Sequence, residues 1–277
     1  MSKKDIKVFS TEIGGKELKI EVGKFAHQTN ASCSVSYGET VVLATACMSK
    51  SIREGIDFFP LMVDFDEKLY AAGKIKGSRF IKREGRPADE AILSGRLIDR
   101  SVRPLFDENI RNDVQIVASV LSFDGENDAD VIALNAAACV LTISDISWGG
   151  PVAAVRVGRI ESESKSGKFE FVLNPSYIAR EKSDLDVVVS ATKDEVVMIE
   201  AGAKEVSEDV MFEAVEFAMK HLKKIIKLIE EVQKKVGKEK MNLNKEISDE
   251  EKQAVEMIKD KVCLLYTSDA ADEEDSV

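Results

Sequence analysis

Ala129-Asp130-Val131-Ile132-Ala133-Leu134-Asn135-Ala136-Ala137-Ala138-Cys139-Val140-Leu141-Thr142-Ile143 is alanine-rich and almost wholly apolar. At helical spacing such a segment has no face to offer to water, so it predicts a buried helix that needs layers of structure around it. Working outward, the preceding sequence supplies strands. Residues 18–22 alternate with period two after the hairpin signal Gly14-Gly15. Residues 31–37 and 40–46 are two more, split by a turn at Gly38-Glu39. The small residues of the first predict an edge-facing strand and the apolar run of the second a buried one. Residues 58–65 form another, with Pro60 near the start, where a missing donor is tolerated. A strand over 114–121 then reaches the long helix through the polar turn Asp124-Gly125-Glu126-Asn127-Asp128.

Residues 89–100 predict a helix ended by Pro104. Ile92, Arg96, Asp99, Arg100 and Arg103 recur at spacings of three and four, so the arginines form a ridge while Leu93, Leu97 and Ile98 turn to the core. Beyond the buried helix, Trp148-Gly149-Gly150-Pro151 opens a second unit with strands over 153–160, 169–173, 186–190 and 195–200. A long helix over 205–236 follows, its last turns rich in lysine, as suits solvent and the helix dipole. A short helix over 248–262 comes next, with Ser248 as cap. This order predicts an α+β fold of mixed sheets and layered helices, with no solenoid period.

The 277 residues carry a net charge of −11, yet residues 68–103 alone carry +6, which leaves −17 for the rest. Concentrated positive charge on an acidic chain calls for an anionic partner or internal carboxylates. Within that window, Gly73-Lys74-Ile75-Lys76-Gly77-Ser78-Arg79-Phe80-Ile81-Lys82-Arg83-Glu84-Gly85-Arg86-Pro87 is a glycine-rich loop in which Phe80 sits among Arg79, Lys82, Arg83 and Arg86. An aromatic face for a base and cations for its phosphates is what single-stranded nucleic acid requires; the bland reading is a solvated basic loop.

Other chemistries find little support. No apolar run approaches the roughly 20 residues of a membrane span, and the N-terminus has charge but no apolar core after it, so a cytoplasmic location is expected. Cys33, Cys47, Cys139 and Cys263 lack metal-ligand spacing and read as reduced thiols, the first three buried. His27 and His221 stand far apart, against a zinc site or a Ser-His-Asp triad. Asp124, Glu126, Asp128 and Asp130 offer hard oxygens for a divalent cation, but lack the spacing of a calcium loop; the favoured reading is Asp128 as cap of the buried helix. No catalytic residue and no metal ligand is assigned.

Several segments resemble the start of the bacterial polynucleotide phosphorylase family. They are Ser36-Tyr37-Gly38-Glu39-Thr40-Val41-Val42-Leu43-Ala44-Thr45-Ala46, Phe59-Pro60-Leu61, the basic loop, Gly95-Arg96-Leu97-Ile98-Asp99-Arg100-Ser101-Val102-Arg103-Pro104-Leu105-Phe106, Pro151-Val152-Ala153-Ala154-Val155-Arg156-Val157-Gly158, Leu173-Asn174-Pro175 and Glu205-Val206-Ser207-Glu208-Asp209. The resemblance implies an RNase PH-like domain, ribosomal-protein-like in fold, over 5–145 and 146–212, then the start of an all-helical linker domain over 213–263. Residues 264–277 match neither the family nor a helix and read as a non-native tail. The implied activity is 3′-to-5′ phosphorolysis of single-stranded RNA to nucleoside diphosphates, using inorganic phosphate and Mg2+, by a homotrimer that can engage other RNA-degradation proteins.

By the same resemblance, Phe80, Lys82 and Arg83 grip RNA at a channel constriction. Arg96, Arg100 and Arg103 match family arginines that line the RNA path or pair with Asp99 and Glu84. The family's phosphate-binding serines and magnesium-binding aspartates belong to a second RNase PH-like domain, so this chain is expected to supply RNA-channel and trimer surfaces without the catalytic centre. The rival readings are a self-sufficient RNase PH-type exonuclease and a catalytically silent ring subunit or RNA-binding module.

Overall fold

The computed structural model describes residues 6–75, 86–107, 109–161, 169–242 and 257–258. The first half forms β1 (Lys7–Ile13), β2 (Lys16–Val22), β3 (Ala31–Tyr37), β4 (Thr40–Ile52), β5 (Leu61–Glu67), α1 (Asp89–Val102), β6 (Asn112–Ser122) and α2 (Ala129–Ile143). Its six strands make one mixed sheet in the order β1-β2-β3-β4-β6-β5. All pairings are antiparallel except β5 with β6, which run parallel because α1 carries the chain between them. The second half adds β7 (Ala153–Glu161), β8 (Phe169–Leu173), α3 (Tyr177–Glu181), β9 (Leu185–Ala191), β10 (Val196–Ala203) and α4 (Glu208–Val236). Its antiparallel sheet has the order β10-β9-β7-β8.

α2 is the core of the molecule. It lies on β3, β4 and β6 and touches α1, α4 and β7 on its other sides; every residue except Asp130 is buried. The alanines let backbones approach closely, and one polar residue is fully used: Asn135 donates to the Val131 and Ala154 carbonyls at 3.0 and 2.9 Å and accepts from the Ala154 amide at 2.9 Å. That clamp fixes the start of β7 against the helix, since unpaired amides there would be costly.

The local reading needs correction where packing decides the outcome. β3 is an interior strand between β2 and β4, not an edge; its small residues make room for α2, with the Cys33 thiol 3.5 Å from the Ala136 carbonyl. Leu93 is 63% exposed, because α1 approaches β5 through Gly95, where a Cβ would lie 3.2 Å from the Val63 carbonyl, and turns Ala91, Gly95, Leu97 and Ile98 inward instead. Cys47 is exposed, falling on an outward position of β4. The long helix begins at Glu208, since Glu205 has a φ of 55° and cannot be helical.

One compact unit covers residues 1–241 and a second 242–277. The boundary expected at 212/213 falls inside α4, whose buried side runs from Ala214 to Val232 and covers β7, β9, β1 and α2. Of the short helix expected over 248–262, the described residues 257–258 are helical; the rest of it and residues 264–277 lie outside the described residues. Among the described residues no helix is long and apolar enough to cross a membrane.

Candidate nucleic-acid interface

Two clefts flank α1. One, of about 710 Å³, runs between α1 and β5 and is lined by Met62, Asp64, Arg96, Asp99, Arg100 and Arg103 among others. The other, of about 680 Å³, has Lys74 and Arg86 on its wall and reaches Asp128, Arg156, Tyr177 and Arg180. Arg79, Phe80, Lys82 and Arg83 lie outside the described residues; the chain enters their loop after Ile75 and leaves it at the exposed Arg86.

The three ridge arginines have different environments. Arg103 forms a two-point pair with Asp99, Nε to Oδ2 at 2.9 Å and an Nη to Oδ1 at 2.7 Å. It also donates to the Phe59 and Leu61 carbonyls at 3.4 and 3.2 Å and lies 5.8 Å from the centre of the Phe59 ring. This half-buried guanidinium ties α1 to the entry of β5, and the pairing with Asp99 expected for it is present. Arg100 pairs with Glu200 of β10, both side chains 53% exposed. Arg96 is exposed and has no ion-pair partner among the described residues.

A second charged cluster escaped the reading of the sequence. Arg156, in the apolar strand β7, is 8% exposed and meets three carboxylates: Asp128 at 2.6 Å, Asp130 at 2.8 Å and Asp186 at 2.8 Å. Arg180 of α3 also binds Asp128 and Asp186, both at 2.7 Å. Burial disfavours the Arg156 charge, but Asp130, Asp128 and Asp186 outweigh it and hold the guanidinium well above its ordinary value. Burial raises the Asp130 carboxyl against the pull of Arg156, and Asp128 adds to that rise. Burial, with the Asp128 charge beside it, pushes up the Tyr177 phenol. The available signal was an arginine in the middle of Ala153-Ala154-Val155-Arg156-Val157.

The cluster also corrects the acidic turn. Asp128 occupies the N-cap position of α2 as expected, but its carboxylate makes no cap hydrogen bond and serves the guanidiniums instead. Asp124 organises the turn, accepting from the Glu126 and Asn127 amides at 2.8 and 2.9 Å and from the Glu39 amide at 3.2 Å. Burial pushes this carboxyl up, but the Asn127 and Glu126 amides, the Asn127 side chain and Thr40 more than offset that and draw it down to about 2. Gly38 admits this arrangement, having a φ of +61° and no room for a Cβ beside Asn127.

The first domain of the 3′ exoribonuclease family matches over residues 14–147 and its second domain over 150–221. The chain therefore belongs to the 3′ exoribonuclease family. Among curated relatives it is 54% identical over 237 residues to a polyribonucleotide nucleotidyltransferase of Alkaliphilus oremlandii, covering 86% of this chain and 32% of the relative. It is 49% identical over 258 residues to the protein of that name from Caldicellulosiruptor bescii, covering 92% and 36%. It thus spans about a third of the length of these relatives. In fold it is similar to the crystal structure of rice Rrp46, with a TM-score of 0.59 at 11% identity over 83% of this chain and 94% of the other.

Proposed function

We propose that this chain is the RNA-guiding part of a phosphorolytic 3′-to-5′ exoribonuclease, which converts single-stranded RNA and phosphate to nucleoside diphosphates. Arg96 on α1, exposed and without an ion-pair partner among the described residues, carries the reading, since the basic segment 68–103 meets an open cleft there. Arg100 lines the same cleft and Arg86 the neighbouring one, and in this reading Arg79, Phe80, Lys82 and Arg83 supply an aromatic and cationic grip. The name shared by the relatives of 54% and 49% identity supports the same activity.

The described residues do not fit the reaction's other participants. Magnesium needs open hard-oxygen ligands, whereas Asp128, Asp130 and Asp186 are bound by two guanidiniums that repel a cation. The same carboxylates occupy the guanidiniums that would hold phosphate. In this reading magnesium and phosphate are bound by a second RNase PH-like domain of a cytoplasmic homotrimer, and residues 213–263 begin the helical linker.

The test uses full-length protein and poly(A). Nucleoside diphosphate release should require both phosphate and Mg2+. Phe80→Ala should weaken RNA binding by about 1–3 kcal/mol, the scale of one lost base stack. Unchanged affinity in that variant would remove the loop from the RNA path, and products other than diphosphates would overturn the reaction.

A further inference from the structure

Arg100 stands between its two neighbours in kind. Arg103 is anchored by Asp99 and two backbone carbonyls, and Arg96 has no counter-charge among the described residues. Arg100 has one carboxylate, Glu200, brought from a distant part of the chain. Glu200 sits on β10, an edge strand of the four-stranded sheet, opposite Val188 of β9. The pair thus joins the arginine ridge to the other sheet, and it is open to water on both sides. Exposed pairs of this sort exchange readily, because solvent screens the attraction and each long side chain loses freedom by pairing. An RNA phosphate offers Arg100 the same charge and the same acceptor geometry as the carboxylate it already holds.

We propose that Glu200 is an internal competitor for the RNA backbone at Arg100, so that RNA engages this cation only by displacing a carboxylate. The proposal rests on the reading of α1 as an RNA surface and adds a regulating residue to it. Its consequence is a grip that is weaker at low salt than the ridge alone would give. As salt rises the competing pair is screened along with the RNA contact, so the competitor's effect fades. Arg96, with no ion-pair partner among the described residues, shows the undamped salt dependence.

Binding of a fluorescent oligo(A) to the full-length protein, without phosphate so that no turnover occurs, tests this across a salt series. Glu200→Gln should tighten binding about two- to fivefold at low salt, the range of one exposed pair, with the gain shrinking toward unity at high salt. Relief of simple repulsion between Glu200 and RNA would also tighten binding in Glu200→Gln, and the double variant separates the two. In the Arg100→Gln background the competition has no target, so Glu200→Gln should bring no gain. An equal gain there, or none in the wild-type background, overturns the proposal. Arg96→Gln reports on the underlying surface. If it weakens binding while Glu200→Gln is silent, only the competitor fails; if Arg96→Gln and Arg100→Gln both bind as wild type, the RNA surface itself is elsewhere. Equal melting temperatures for the single variants keep each comparison free of folding effects.

Discussion

Arginines serve opposite purposes in two neighbouring regions of this molecule. Around α2's N-terminus, Arg156 and Arg180 are enclosed by Asp128, Asp130 and Asp186, and their charge is spent inside the fold. Along α1, Arg96 and Arg100 face water with no partner among the described residues in one case and one exposed carboxylate in the other. Residue type alone does not distinguish them. The number of carboxylates within reach and the depth of burial do, and those two quantities decide whether a guanidinium holds a protein together or remains available to an anion.

The sharpest way to break the comparison is to remove a buried guanidinium. Arg156→Met leaves three aspartates facing one another with Arg180 as their remaining counter-charge, and stripping one side of such a cluster costs about 3–5 kcal/mol. Chemical denaturation should show the loss as a large fall in midpoint. A loss below about 1 kcal/mol would mean that the cluster is wet and exchangeable, like the α1 ridge.

That contrast marks where the sequence is legible. α2 is readable because its burial is written in consecutive residues, and the hairpin partners β3 and β4 because their pattern is local. The Arg156 cluster gathers residues from α2's cap, β7, α3 and β9, so no window of sequence contains it; an arginine amid apolar residues is its trace. The same limit explains β3 and Leu93. Strand order depends on which chain segment returns beside which, and the inward face of α1 depends on how closely β5 approaches Gly95. The sorting of Arg96, Arg100 and Arg103 is equally non-local, since the acceptors that anchor Arg103 include carbonyls 42 and 44 residues away.

The acidic turn sharpens the comparison on the carboxylate side. Asp128 answers guanidiniums, whereas Asp124 answers backbone amides and has its pKa lowered from 3.8 to about 2. Because the folded value lies below the unfolded one, its stabilisation is present above about pH 4 and is lost as pH falls toward 2. Asp124→Ala should cost about 1–2 kcal/mol at neutral pH, for several turn hydrogen bonds in a partly solvated site, and should remove that part of the acid sensitivity. Melting curves of the two proteins between pH 6 and 2 measure it. Parallel curves through the acid range would show that Asp124 does not carry the titration.

The smallest effects test the ridge itself. Arg103→Gln removes a half-exposed two-point pair and two long carbonyl contacts, so about 1 kcal/mol of stability should go with it. Arg96→Gln removes a side chain with no ion pair among the described residues, so the melting temperature should stay within the roughly 0.5 kcal/mol of an ordinary surface change. RNA binding by the full-length protein should order the two variants the other way. Loss of one phosphate contact at Arg96 should flatten the slope of log affinity against log salt by about 0.7, the value for single strands. Arg103→Gln should leave that slope alone, because its guanidinium is held by Asp99 in the fold. A flattened slope in Arg103→Gln would mean that RNA pulls this arginine away from Asp99, and the division between structural and available cations would then have to be drawn at Arg156 rather than within α1.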